Sequence, residues 1–178
     1  MTTKASHIDN QRARLTILVI TAVFTALTYV FTAFVNIRLP IAANGGLVHL
    51  GNVPLFIGAI IFGKRVGAIS GGIGMALFDL LSGWTVWAPF TLITVAAMGY
   101  AVGAIAHDRP KLRYSVLAIL AALVIKIIGY YIAEAVIYQN LIVPVASIPG
   151  NIVQVGVAGL ITLAVIVPLR KAADSIIR

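Results

Sequence analysis

The sequence predicts an all-α membrane protein, a six-transmembrane-helix bundle with both termini cytoplasmic, and three observations predict it. Hydrophobic residues fill 61% of 178 positions and charged residues only 10%. That is less than half the charged share of a soluble domain, too little to cover a water-facing surface. Mean hydropathy is +1.05, concentrated in six apolar stretches. The basic residues fall between those stretches, at alternate ends. A spanning helix needs about 20 mostly apolar residues, so residues 1–178 form one integral membrane domain with no room for a soluble one.

The first span covers about 15–35, uncharged between Arg14 and Arg38. The polar start is followed by an apolar run longer than a signal peptide's, so no cleavable leader is expected. A loop, 36–48, carries Pro40, Asn44, Gly45 and Gly46 and is rich in turn formers. The second span, 49–62, is short and ends at Gly63-Lys64-Arg65. The third, 66–82, is interrupted by Gly67, Gly71, Gly72 and Gly74. Trp84 and Trp87 lie in the next turn and suit an interfacial aromatic belt. The fourth span, 90–106, is closed by His107-Asp108-Arg109-Pro110. The fifth, 114–138, carries Lys126 and Glu134 inside it. A polar, proline-containing turn leads to the sixth, 151–169, which Arg170 and Lys171 stop.

Orientation follows from the thirteen basic residues. Lys4, Arg12, Arg14, Lys64, Arg65, Arg109, Lys111, Arg113, Arg170, Lys171 and Arg178 fall on one side, which the positive-inside rule makes cytoplasmic. Arg38 falls on the other, and Lys126 is intramembrane. The net charge of +8 is therefore topological; a nucleic-acid binder would gather it on one face. With no cysteine, disulfides, thiolate metal sites and cysteine nucleophiles are excluded.

Direction assigns depth. His49 and Asn52 fall at the outer end of span two, Asp79 near the outer end of span three, and Thr91 and Thr94 likewise in span four. Tyr130, Tyr131 and Glu134 lie in the outer half of span five, with Lys126 nearer mid-membrane. Asn151 and Gln154 open span six. Intramembrane charges are costly and mark functional sites by default. Lys126, Tyr130 and Glu134 are spaced four apart, along one helix face. These groups converge on one outward-open cavity for a small polar solute, with Trp84, Trp87, Tyr130 or Tyr131 offering flat faces. The alternative is structural: Lys126 paired with Asp79 or Glu134 as an internal staple, and the amides stitching helices together. Asn44, Gly45 and Gly46 are the expected gating loop. The outer half lacks an arginine cluster, which argues against a phosphate ester.

Two small-residue stripes, Gly63/Gly67/Gly71 and Gly99/Gly103, suit close helix packing. Ala22 and Ala26 form a further small pair on span one, which has no polar member for the cavity and so is available to a partner protein. Gly58 to Lys64 reads G-x-x-x-x-G-K, but Arg65 stands where a phosphate-binding loop needs Ser or Thr, and no strand precedes it. Ser70 beside glycines suggests an intramembrane serine protease, yet His49 lies at the opposite depth. No catalytic residue and no metal site is expected.

The stretch VHLGNVPLFIGAIIFGKRVGAISGGIGMALFDLLSG, followed by APFTLI, resembles the substrate-binding (S) components of energy-coupling factor (ECF) vitamin transporters. Lys126, IPGNIVQ at the head of span six, and Ala22-x-x-x-Ala26 extend the resemblance over essentially the whole chain. It implies a six-helix bundle in the cytoplasmic membrane that captures a vitamin from outside. It also implies assembly with two ATPase subunits and one transmembrane coupling protein, contacted by Ala22 and Ala26. ATP hydrolysis would belong to those partners, so this chain is expected to be neither an enzyme nor a cofactor binder. The branch implied takes hydroxymethylpyrimidine or vitamin B6, with riboflavin as the alternative. A standalone ion-coupled carrier and a non-transporting scaffold are the competing classes.

Overall fold

The computed structural model of the chain describes residues 2–38 and 47–177. The gating residues Asn44, Gly45 and Gly46 lie outside the described residues. Helix α1 runs over Thr2–Phe34, well before the apolar stretch begins. No Gly or Pro interrupts residues 2–34, so the helix outlasts its hydrophobic portion at Gln11–Phe34. Within it, the hydroxyls of Thr16, Thr21, Thr25 and Thr32 donate to carbonyls one turn back, which satisfies them in an apolar setting. The Asn36 amide donates to the carbonyls of Thr32 and Ala33 at 3.0 and 2.7 Å, closing the helix end.

The expected 36–48 loop is in part a hairpin. Strand β1 (Asn36–Arg38) pairs antiparallel with β2 (Leu47–His49), with Asn36 opposite His49. Helix α2 (Asn52–Phe62) follows. Its eleven residues rise about 17 Å, too short to cross the hydrocarbon core unaided. Gly63, at φ 94°, breaks α2 from α3 (Lys64–Leu81) in a single residue, a conformation side-chain-bearing residues rarely adopt. Helix α4 spans Ala88–Ala106, with a proline in its first turn. Helix α5 spans Leu112–Tyr138 and ends on Gln139 in the left-handed region. A 3-10 turn, Val143–Ser147, leads into α6, Ile148–Ile177. Arg170 and Lys171 therefore end the apolar stretch of α6 but not the helix. Charged side chains are good helix formers, and nothing in that segment removes a backbone donor.

The α3–α4 pair packs most extensively, because its glycine stripes meet. A Cβ at Gly67 would strike the Gly99 carbonyl, and one at Gly103 would strike the Lys64 backbone. The core is built on Leu55, Phe56, Ile60, Met75, Val95, Met98 and Val102. Outside, large apolar side chains stand exposed on the helices, among them Leu18, Val19, Ile93, Leu117, Leu120 and Leu160. Such a surface needs hydrocarbon as its solvent. Among the described residues, four helical segments are long and apolar enough to cross a membrane: Gln11–Phe34, Ala88–Ala106, Leu112–Tyr138 and Val143–Ala173.

Candidate functional site

Lys126 projects from the middle of α5 and is 2% exposed. Its Nζ lies 5.0 Å over the ring of Tyr130, one turn along. Asp79 lies across the cavity from it and acts on it electrostatically. The Tyr130 hydroxyl donates to Thr91 Oγ1 of α4 at 3.2 Å. The Thr91 side chain also reaches the carboxylate of Asp79, near the C-terminus of α3. Trp87 packs against Tyr130 and Tyr138, ring centroids 6.5 and 6.1 Å apart. From α6, Asn151 and Gln154 are buried. Gln154 Nε2 donates to the His49 carbonyl at 3.2 Å, tying the hairpin to the bundle.

These groups enclose one cavity with about 510 Å³ of empty space, its open mouth included. Its walls are His49, Phe78, Asp79, Trp84, Trp87, Thr91, Lys126, Tyr130, Asn151 and Gln154. One wall offers aromatic faces; the others offer amide, hydroxyl, ammonium and carboxylate groups. Helix α1 contributes nothing to it.

Several sequence expectations need adjusting. His49 lines the cavity from β2, because the chain stays extended there, paired with Asn36, until α2 starts at Asn52. Asn52 is fully buried at the first residue of α2 but is not part of the cavity wall; both its side-chain polar atoms lack a hydrogen-bond partner. Glu134 is also buried off the cavity wall. Its Oε2 accepts from Ser147 Oγ at 2.6 Å, fastening α5 to the 3-10 turn. The reason is rotational: each four-residue step turns a helix about 40° past a full turn, so Glu134 lies about 80° round from Lys126. Phe78 was not anticipated. Nothing in an apolar stretch distinguishes a cavity-lining phenylalanine from a core one.

Ala22 and Ala26 lie exposed in an open apolar groove between α1 and α3, with Thr21, Thr25, Tyr29, Ile69 and Leu77.

An apolar exterior and an aromatic and polar cavity within it are the features of a membrane-embedded protein with an internal pocket. The sequence comparisons narrow this. A family model described as "ECF-type riboflavin transporter, S component" matches residues 13–171. The chain is 32% identical over 152 residues to a thiamine precursor transporter, HmpT, of Lactococcus lactis subsp. cremoris, covering 85% of this chain and 86% of that protein. It is 31% identical over 102 residues to an uncharacterized protein of Pyrococcus woesei, covering 57% of this chain and 68% of that one. The chain belongs to the family of ECF-type riboflavin transporter S components. It is a membrane-embedded transporter component of an ECF system, not an enzyme.

Proposed function

We propose that this chain captures a small heteroaromatic vitamin or vitamin precursor, hydroxymethylpyrimidine before vitamin B6, at the outer face of the cytoplasmic membrane. The observation that carries the reading is the composition of the cavity wall. Trp84, Trp87, Tyr130 and Phe78 provide faces for a flat ring. Asn151, Gln154, Thr91, Asp79 and Lys126 provide donors and acceptors for its edge. A one-ring pyrimidine suits the modest volume, and the name of the Lactococcus relative supports the same class. Riboflavin is the second reading, favoured by the description of the family model; its three rings and polyol chain would require the mouth to widen.

Orientation is part of the proposal. Eleven basic residues mark one side, which puts both termini in the cytoplasm and the cavity toward the outside after six crossings. Since α2 is short, its crossing would be completed by the hairpin ahead of it. Delivery would require the ECF module of two ATPases and a coupling protein. The exposed Ala22/Ala26 groove on α1 is the surface proposed for the coupling protein, small side chains allowing close helix approach. Mass spectrometry of small molecules carried through purification tests the substrate class. A pyrimidine or pyridine would support it, and a ligand without an aromatic ring would overturn it.

A further inference from the structure

A second cavity, unrelated to the first, opens at the basic end of the bundle between the start of α5 and the end of the apolar stretch of α6. It holds about 540 Å³ of empty space, open side included, and is walled by Leu112, Ser115, Ile166, Val167, Arg170 and Lys171, with Pro110 at its edge. Three independent features converge there. The N-terminus of α5, a 27-residue helix, points its positive dipole end into this corner with no acidic residue in its first turn and no side-chain cap. Such ends attract anions. Ser115 on that first turn is 1% exposed, and its Oγ has no hydrogen-bond partner although it lies on the cavity wall. Buried hydroxyls are rarely left so. Finally, the segments that meet here carry five basic residues, Arg109, Lys111, Arg113, Arg170 and Lys171, and in sequence two acidic ones, Asp108 and Asp174.

Arg170 is already committed in part, donating to the carbonyls of Ala106 at 2.6 Å and Arg109 at 3.2 Å. It closes the C-terminal end of α4 and forms a fixed positive wall. The exposed Lys171 is the second cation on the cavity wall. The opposite wall is apolar: Ile166 is buried, while Leu112 and Val167 are 47% and 49% exposed toward the bundle exterior. A soluble anion would sit against bare hydrocarbon there, whereas a lipid brings its own acyl chains to cover it.

We propose that this cavity holds the phosphate head group of an anionic phospholipid. Ser115 Oγ and the α5 N-terminus donate to the phosphate, Lys171 neutralises it, and the acyl chains run along Leu112 and Val167. Basic pockets between membrane helices serve this purpose generally.

The test is native mass spectrometry of the full chain in a neutral maltoside detergent, titrated with phosphatidylglycerol or with phosphatidylcholine of identical chains. Phosphatidylglycerol should be retained in preference to phosphatidylcholine. Lys171→Gln should weaken that retention about fivefold, the value of one basic residue at an anionic surface. Ser115→Ala should weaken it further without loss of yield, since the hydroxyl has no protein partner to lose. Lys64→Gln, at the same end but over the Tyr100 ring, should leave retention unchanged. Equal retention of the two lipids, or a Lys171→Gln protein indistinguishable from the parent, would overturn the proposal. So would displacement of phosphatidylglycerol by millimolar inorganic phosphate, which would make the ligand a free anion.

Discussion

Replacing Lys126 by methionine should move stability and affinity in opposite directions. The ammonium is 2% exposed, in the middle of α5, with the Tyr130 ring 5.0 Å away. A lysine at the centre of a membrane helix costs about 2.5–3.5 kcal/mol on insertion scales. A cation–π contact returns roughly 0.5–2 kcal/mol of that, and long-range attraction to Asp79 across the cavity returns a little more. The empty protein should therefore gain about 1 kcal/mol on losing the charge, since methionine fills a similar volume and needs no partner. For a chain of this length that is roughly 2–4 °C in Tm. Ligand binding should suffer, because a hydrogen bond to a charged group contributes about 1.5–3 kcal/mol, or about ten- to a hundredfold in Kd. Both quantities are accessible in one sample. Trp84 and Trp87 are the chain's two tryptophans and both line the cavity, so intrinsic fluorescence reports occupancy during titration and unfolding during a thermal ramp. A lower Tm with unchanged affinity would refute the reasoning and return Lys126 to the role of a structural staple.

Other expectations follow from the same geometry. Ala26→Trp, and equally Ala22→Trp, should abolish uptake by cells while leaving substrate binding by the isolated chain intact; loss of both would mean that the stripe packs inside the bundle. Glu134→Gln should weaken the bond to Ser147 Oγ and lower thermal stability by about 1–3 kcal/mol with little change in Kd; a tenfold weaker Kd at normal stability would return Glu134 to the binding site. Reporter fusions after Lys64 and Arg113 should read cytoplasmic and one at Gln139 external, and a reversed pattern would put the cavity on the wrong side of the membrane.

Much of this was legible in the sequence, and the failures have identifiable causes. Helices α3, α4 and α5 lie over apolar stretches bounded by glycine, tryptophan or basic residues, because hydropathy and turn formers act locally. Helices α1 and α6 run beyond the expected spans because charge terminates a hydrophobic stretch without terminating a helix: Arg12, Arg14, Arg170 and Lys171 all sit in continuous α-helix. The hairpin was missed because three-residue strands such as Asn36–Arg38 show too few alternations to register as a pattern. For the cavity, depth was enough to assemble His49, Asp79, Thr91, Lys126, Asn151 and Gln154, since few polar groups occur at that level. Depth carries no rotational information, however. Glu134 and Asn52 have the expected height, and each is turned away from the cavity wall.

The most direct measurement is a titration of the purified chain with hydroxymethylpyrimidine, pyridoxine and riboflavin, followed by Trp84 and Trp87 fluorescence. Hydroxymethylpyrimidine should saturate the signal at the lowest concentration, with pyridoxine weaker and riboflavin weakest. Tightest binding by riboflavin would contradict the one-ring assignment, and no response to any of the three would contradict the cavity as a vitamin site.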